Sequence, residues 1–213
     1  MRATGIQRII LTLFLLCSSL PAAEPIRYEV VTSHPHDERA WTQGLFYQNG
    51  HLFESTGLYG ESTVRRVDLE SGRVLKKQAL SDAYFGEGLT LFQGQLYQLT
   101  WQAGKGFIYD PETFEKTGDF NYAGEGWGLT HDKSHLILSD GTATIRFLDP
   151  ATFEVVRRIS VTLGSRPVRH LNELEYIDGF IYANVWYQDV IVKINPQSGA
   201  IVGLLNLKDL WPE

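Results

Sequence analysis

The chain has 213 residues, of which 43% are apolar and 12% aromatic, and a formal net charge of −6. Its 19 basic residues against 25 acidic ones form no basic cluster, which argues against a nucleic-acid partner. A single cysteine, Cys17, excludes a disulfide framework, so the fold must be held by its core, which this composition can supply.

Taken in order, the chain begins with the pattern of an export signal. Arg2 and Arg8 precede an apolar run over residues 9–16, followed by Cys17-Ser18-Ser19-Leu20-Pro21-Ala22-Ala23. The run is too short to span a bilayer. Cleavage is expected near Ala23, giving a domain over residues 24–213 that is periplasmic or extracellular and free of the membrane after signal removal. That step takes away two arginines and the cysteine, leaving 17 basic and 25 acidic residues and a charge of −8.

Residues 26–33 alternate as a strand, which His34-Pro35-His36-Asp37 breaks. His34 and His36 have no further ligand nearby and read as a solvated loop rather than a metal site. A four-strand unit then repeats. In its first copy, strands are expected over residues 44–47, 52–55, 64–67 and 74–80, with Asn49-Gly50 as a tight turn and Asp68-Leu69-Glu70-Ser71-Gly72 as the outer turn. Later copies place their tight turns at Gln93-Gly94, Lys133-Ser134 and Asp178-Gly179, and their outer turns at Asp110, Asp149 and Asn195. The outer turns lie 42, 39 and 46 residues apart, the period of a four-stranded propeller blade, and no useful stretch has helical periodicity. One blade cannot cover its own faces, so the expected class is all-β, with blades packed around an axis and their first strands lining a channel.

One position recurs at the mouth of each first strand. It is Gln43 in Thr42-Gln43-Gly44-Leu45, Glu87 in Phe85-Gly86-Glu87-Gly88-Leu89, Trp127 in Gly126-Trp127-Gly128-Leu129 and Asn172 in Leu171-Asn172-Glu173-Leu174. A second recurrence follows the second strands: Trp101 is 14 residues after Glu87, and Trp186 is 14 after Asn172. Repeat-equivalent positions converge in a propeller, so three indoles, two carboxamides and one carboxyl group are expected at one mouth. Apolar walls with few polar groups suit a small organic ligand. Burial among aromatics would raise the Glu87 pKa toward neutrality, as an acid/base catalyst requires.

At these residues the chain resembles the plant- and bacterial-type glutaminyl cyclases, also called glutamine cyclotransferases. The segments that carry the likeness are Thr42-Gln43-Gly44-Leu45, Phe85-Gly86-Glu87-Gly88-Leu89-Thr90, Leu99-Thr100-Trp101, Gly124-Glu125-Gly126-Trp127-Gly128-Leu129-Thr130, Leu171-Asn172-Glu173-Leu174-Glu175 and Asn184-Val185-Trp186. The resemblance spans about residues 28–207 and implies a five-bladed β-propeller that converts the N-terminal glutamine of a peptide or protein substrate to pyroglutamate, releasing ammonia. It makes Glu87 the general acid/base, Gln43 and Asn172 the hydrogen-bonding groups for the substrate amide, and Trp101, Trp127 and Trp186 the walls that exclude water. No cofactor is implied, and a structural calcium in the channel is left open.

The chain departs from the family at its end. Beyond the position of Leu207 the family continues with a strand containing Asn-Gly and a Gly-Lys-Leu-Trp motif, which complete the fifth blade and bring a lysine to the site. Here Leu210-Trp211-Pro212-Glu213 follow, so the last blade is expected to be incomplete and the strand over residues 26–33 to lack its partners. The main alternative is therefore a secreted propeller that binds without catalysing. A calcium-dependent lactonase or esterase ranks low, because Glu87 is the one anionic residue among the four ring positions. Asp140, near the Trp101-equivalent point of the third repeat, reads as a satisfied turn aspartate.

Overall fold

The computed structural model describes residues 23–210; the expected export signal, apart from Ala23, lies outside the described residues. Within them every regular element is a strand. A two-residue strand, β1 (Glu24–Pro25), comes first. Blade one is β2 (Thr42–Gln48), β3 (His51–Thr56), β4 (Thr63–Asp68) and β5 (Val74–Ala79). Blade two is β6 (Gly86–Phe92), β7 (Gln95–Thr100), β8 (Lys105–Tyr109) and β9 (Lys116–Asn121). Blade three is β10 (Leu129–His131), β11 (Leu136–Leu138), β12 (Thr144–Leu148) and β13 (Val155–Ser160). A small hairpin, β14 (Thr162–Leu163) with β15 (Arg166–Pro167), leads to blade four, which is β16 (Leu171–Ile177), β17 (Phe180–Val185), β18 (Val190–Ile194) and β19 (Ile201–Asn206). Each blade is an antiparallel meander, and the blades follow one another as in a β-propeller.

The repeated turns explain the regularity. Asp110 Oδ1 accepts the amides of Glu112 and Thr113, Asp149 Oδ1 those of Ala151 and Thr152, and Asn195 Oδ1 those of Gln197 and Ser198. In the second and third blades these turns end on Phe114 and Phe153, whose backbones are left-handed at φ 57° and 59°. The strain is offset by packing: Phe114 lies buried in the core between blades one and two, and Phe153 stacks on Phe120 with ring centroids 4.4 Å apart.

Three hydrophobic cores fill the three junctions between consecutive blades. One joins blades one and two around Phe53, Val64, Leu96 and Phe107; the next joins two and three around Leu99, Phe120, Leu136 and Leu148; the last joins three and four around Phe147, Ile159, Leu174 and Ile181. Close approach of the first strands holds the inner wall. A Cβ on Gly44 would strike the backbone of Gly88 and Leu89, one on Gly88 the backbone of Trp127, Gly128 and Leu129, and one on Gly128 that of Asn172, Glu173 and Leu174. The Gly88 amide also donates to the Trp127 carbonyl across the junction at 2.7 Å.

One expectation is met in part and another is corrected. The described residues hold the four expected repeats, and after β19 the described chain continues only through a turn, so the five-bladed ring that the resemblance implies is not formed within them. Residues 26–33 are not a strand either, because their alternation meets no neighbouring edge. The N-terminal pairing occurs instead at β1, which lies parallel to β19 with Glu24 opposite Gly203 and Pro25 opposite Leu204, and it stops after the Ile26 amide donates to the Leu204 carbonyl. Val30 and Val31 beyond it are 57% and 88% exposed.

Glycine at the inner wall is therefore expected to be indispensable. Gly88→Ala should destabilise the chain by about 3 kcal/mol or more, a fall in Tm of roughly 10 °C, because only backbone surrounds the added methyl group. Gly118→Ala, whose Cβ would meet the flexible Ile108 side chain at 3.5 Å, should change stability by less than about 1 kcal/mol. Thermal melts followed by circular dichroism compare the two; equal melting temperatures would refute the close-approach argument.

Candidate functional site

The recurring position sits on a β-bulge. Between β2 and β3 the register slips at Gln43, between β6 and β7 over Glu87 and Gly88, and between β16 and β17 over Asn172 and Glu173. Trp127 lies just before β10 and is bonded likewise, its amide donating to the Ser139 carbonyl at 3.0 Å while the Ser139 amide donates to Gly128. A bulge spreads two residues opposite one and re-aims the extra side chain. Because Gly44, Gly88 and Gly128 each touch the next inner strand, the backbones of Gln43, Glu87, Trp127 and Asn172 line up side by side. Ser139 ties two of them, accepting from the Gly128 amide at 2.7 Å and donating through Oγ to the Asn172 carbonyl at 2.6 Å.

Glu87 is 6% exposed. Burial, with a smaller push from the nearby Glu125 carboxylate, raises its pKa to about 9, and no hydrogen bond offsets that rise. Its carboxyl group is neutral at pH 7. Glu125 is its opposite. Burial acts to raise its pKa too, but hydrogen bonds from Trp127, Gln102 and Trp101 outweigh this and hold it below the usual carboxylate value. Its Oε2 accepts both indole N–H groups, from Trp101 at 2.9 Å and from Trp127 at 2.8 Å, while Oε1 accepts from Gln102 Nε2 at 3.2 Å.

Sequence reasoning missed Glu125 as a site residue, although it lies two positions before Trp127 in a quoted motif. A carboxylate between glycines reads as a turn, and nothing local shows that two indoles from different blades meet it. Arg146 is a second omission. From β12 it donates to the carbonyls of Ala123 and Glu125, the latter at 2.9 Å, and lies 3.4 Å from Asp140 Oδ2, so it pins the loop that carries Glu125. Asp140 Oδ1 accepts from Thr142, in keeping with a turn aspartate.

The indoles belong to a longer aromatic arc. Tyr59 meets Phe85 edge-on at 5.6 Å, and Phe85 meets Trp101 at 5.7 Å; Glu125 then bridges Trp101 to Trp127. Trp127 meets Trp186 at 5.3 Å and 87°, and Trp186 stacks on Tyr187 at 3.9 Å. Glycines make room for it, since a Cβ on Gly57 would enter the Phe85 ring and one on Gly141 the Trp127 ring. Trp101 and Trp127 are half-buried, and Trp186 is 44% exposed. The rim is thus aromatic and partly open to solvent. Two clefts of about 570 and 190 Å³ lie elsewhere, one against the outer strands of blade two beside Tyr84 and Lys105, the other beside Thr90, Thr130 and Glu175.

Inside the channel, Glu173 and Glu175 are held above the usual carboxylate range. For Glu173 burial and the neighbouring Glu175 are the causes, partly offset by the Leu45 and Leu174 amides; for Glu175 burial dominates. Among the described residues no three His, Cys, Asp or Glu side chains gather as metal ligands. His36 is engaged with the Glu54 carboxylate at 3.0 Å, and His34 lies 3.7 Å from Glu70.

Known proteins resemble this chain in sequence and in fold. The family model described as glutamine cyclotransferase matches residues 9–213. A glutaminyl-peptide cyclotransferase of Arabidopsis thaliana is 46% identical over 184 residues, which are 85% of this chain and 58% of that protein; the chain thus spans less than two-thirds of the relative's length. The crystal structure of Myxococcus xanthus glutaminyl cyclase superposes with a TM-score of 0.76 at 38% identity, covering 81% of this chain and 73% of that one. A protein of unknown function from Bacteroides caccae shares the fold at 15% identity, with a TM-score of 0.59 over 80% of this chain and 68% of its own. On the family match and the identity to its plant relative, the chain belongs to the glutamine cyclotransferase family.

Proposed function

We propose that this chain carries the active site of a glutaminyl-peptide cyclotransferase, which closes the N-terminal glutamine of a peptide to pyroglutamate and releases ammonia. The observation that carries the reading is the buried Glu87 carboxyl group beside the Glu125 carboxylate and its two indoles, surroundings that favour its neutral form. Cyclisation requires the neutral α-amine to attack the side-chain amide carbon and the departing nitrogen to gain a proton. A protonated carboxyl group does both jobs: its carbonyl oxygen accepts a proton from the attacking amine while its O–H donates to the leaving nitrogen. The C–N bond to the ring nitrogen forms, the bond to the amide nitrogen breaks, and Glu87 ends protonated as it began. Such a shuttle needs no cofactor. Gln43 and Asn172, beside Glu87 on the inner wall, are assigned to the substrate amide and its developing oxyanion, and the indoles of Trp101, Trp127 and Trp186 to confining the glutamine.

Two further assignments belong to this reading. Export to the periplasm or beyond rests on the order of charged, apolar and small residues before Glu24. A five-bladed ring rests on the resemblance and on the large apolar side chains left uncovered on blade one and the segment leading into it, where Trp41 and Tyr47 are 58% and 59% exposed.

Ammonia release from a Gln-Ala amide tests the assignment. Glu87→Gln should lower kcat/KM at least about 100-fold with the fold retained. A folded parent without turnover would leave a propeller that only binds. The pH dependence follows from two protons: the substrate amine becomes neutral above about 7.7–8.0, and Glu87 loses its proton near pH 9. The kcat/KM profile should therefore peak between these values and fall on the alkaline side.

Because the folded-state pKa of Glu87 is raised from 4.5 to about 9, proton binding favours the folded chain at low pH, and that contribution is lost across this interval. Glu87→Gln, neutral throughout, should gain Tm relative to the parent between pH 5 and pH 9. Glu125→Gln removes the like charge, so it should move the alkaline limb to lower pH and raise KM as the indoles loosen. An unmoved limb would show that Glu125 serves packing alone.

A further inference from the structure

At the blade-four end of the aromatic arc, Tyr187 is 78% exposed and lies on Trp186 with the rings inclined at 27°. The exposed His170 ring stands perpendicular to both, 6.4 Å from Trp186 at 87° and 6.3 Å from Tyr187 at 84°. Both residues have left-handed backbones, His170 at φ 61° and Tyr187 at φ 67°, a conformation that residues with side chains rarely adopt. Hydrogen bonds lock it in place: the Trp186 amide donates to the His170 carbonyl at 2.8 Å, the His170 amide to Gly141 at 2.8 Å and the Gln188 amide to Val185 at 2.9 Å. Strained residues that are themselves exposed, yet hold two aromatic rings at right angles beside a site, point to a ligand.

We propose that Tyr187 and His170 form the subsite for the second residue of the peptide, and that it selects planar, aromatic side chains. This deepens the cyclotransferase reading and rests on it. The glutamine occupies the mouth with its α-amine and side-chain amide at Glu87, so the peptide leaves through the glutamine carbonyl. Consecutive Cα atoms are about 3.8 Å apart, so the second side chain is carried outward along the rim that runs from Trp127 to Trp186. Past Trp186 that rim is bounded by Tyr187 and His170. A flat ring entering it stacks on one wall and meets the other edge-on, the two arrangements that aromatic rings favour. An acidic or small second residue gains neither contact.

The test compares Gln-Phe amide with Gln-Ala amide, both as kcat/KM and as Kd from tryptophan fluorescence. The parent should favour Gln-Phe amide roughly five-fold in each. Tyr187→Ser should bring the ratio to about one, Tyr187→Phe should keep it, and His170→Ala should lower it in part. Tyr59→Ser, at the other end of the arc, should leave it unchanged. Equal values for the two peptides in the parent, or a ratio that falls with Tyr59→Ser instead, would overturn the subsite while the cyclotransferase reading stood. A five-fold preference in Kd without turnover would sink catalysis and keep the subsite; binding of neither peptide would overturn both.

Discussion

The structure depends on the distance at which the inner strands of neighbouring blades can touch. Gly44, Gly88 and Gly128 have no side chain, so each lets its backbone rest on the next blade's bulge. That contact turns four residues spaced some 40 apart into a row. The fourth position is Glu173, where a side chain is present, and its carboxyl group lies inside the channel within reach of the Leu45 amide of blade one. Glycine occurs where another blade presses against the wall, and a long polar residue where the described blades end.

On this frame two carboxyl groups are driven to opposite states. Glu87 is buried without a donor and keeps its proton; Glu125 is less enclosed, collects three donors and loses its own. The pair is self-consistent, because the charge on one helps to hold the other neutral. Paired carboxyl groups whose surroundings separate their pKa values are a common way to run proton transfer near neutral pH. Glu125 also spends its lone pairs on the indoles, so the electrostatics of the site and the shape of its walls rest on one side chain.

Much of this was legible in the sequence because a repeat carries its own alignment. The period between outer turns located the blades, and the recurrence of Gln43, Glu87, Trp127 and Asn172 located the inner wall. The bulges were not legible, since they arise from pairing register rather than composition, and the first strand expected over residues 44–47 began too late as a result, β2 starting at Thr42. The third tight turn also differed: Asp132 Oδ1, not the Lys133-Ser134 backbone alone, organises it by accepting the Ser134 and His135 amides. Residues 26–33 alternate well enough for a strand, but alternation specifies a face and not a partner. Glu125 and Arg146 escaped notice because their roles are to hold other blades' side chains and loops, which no local pattern encodes.

The parallel pairing of β1 with β19 joins residues almost 180 positions apart through two strand residues and one further hydrogen bond. Every other junction links blades adjacent in sequence and is filled by a core of its own. With the blades folded, opening this pairing frees only the arm before β2, and few bonds hold it. The pairing is therefore a clasp rather than a weld. The inner wall can persist while the clasp opens, and the first place where the molecule breathes lies at the outer edge of blade four, away from the row of residues that forms the mouth.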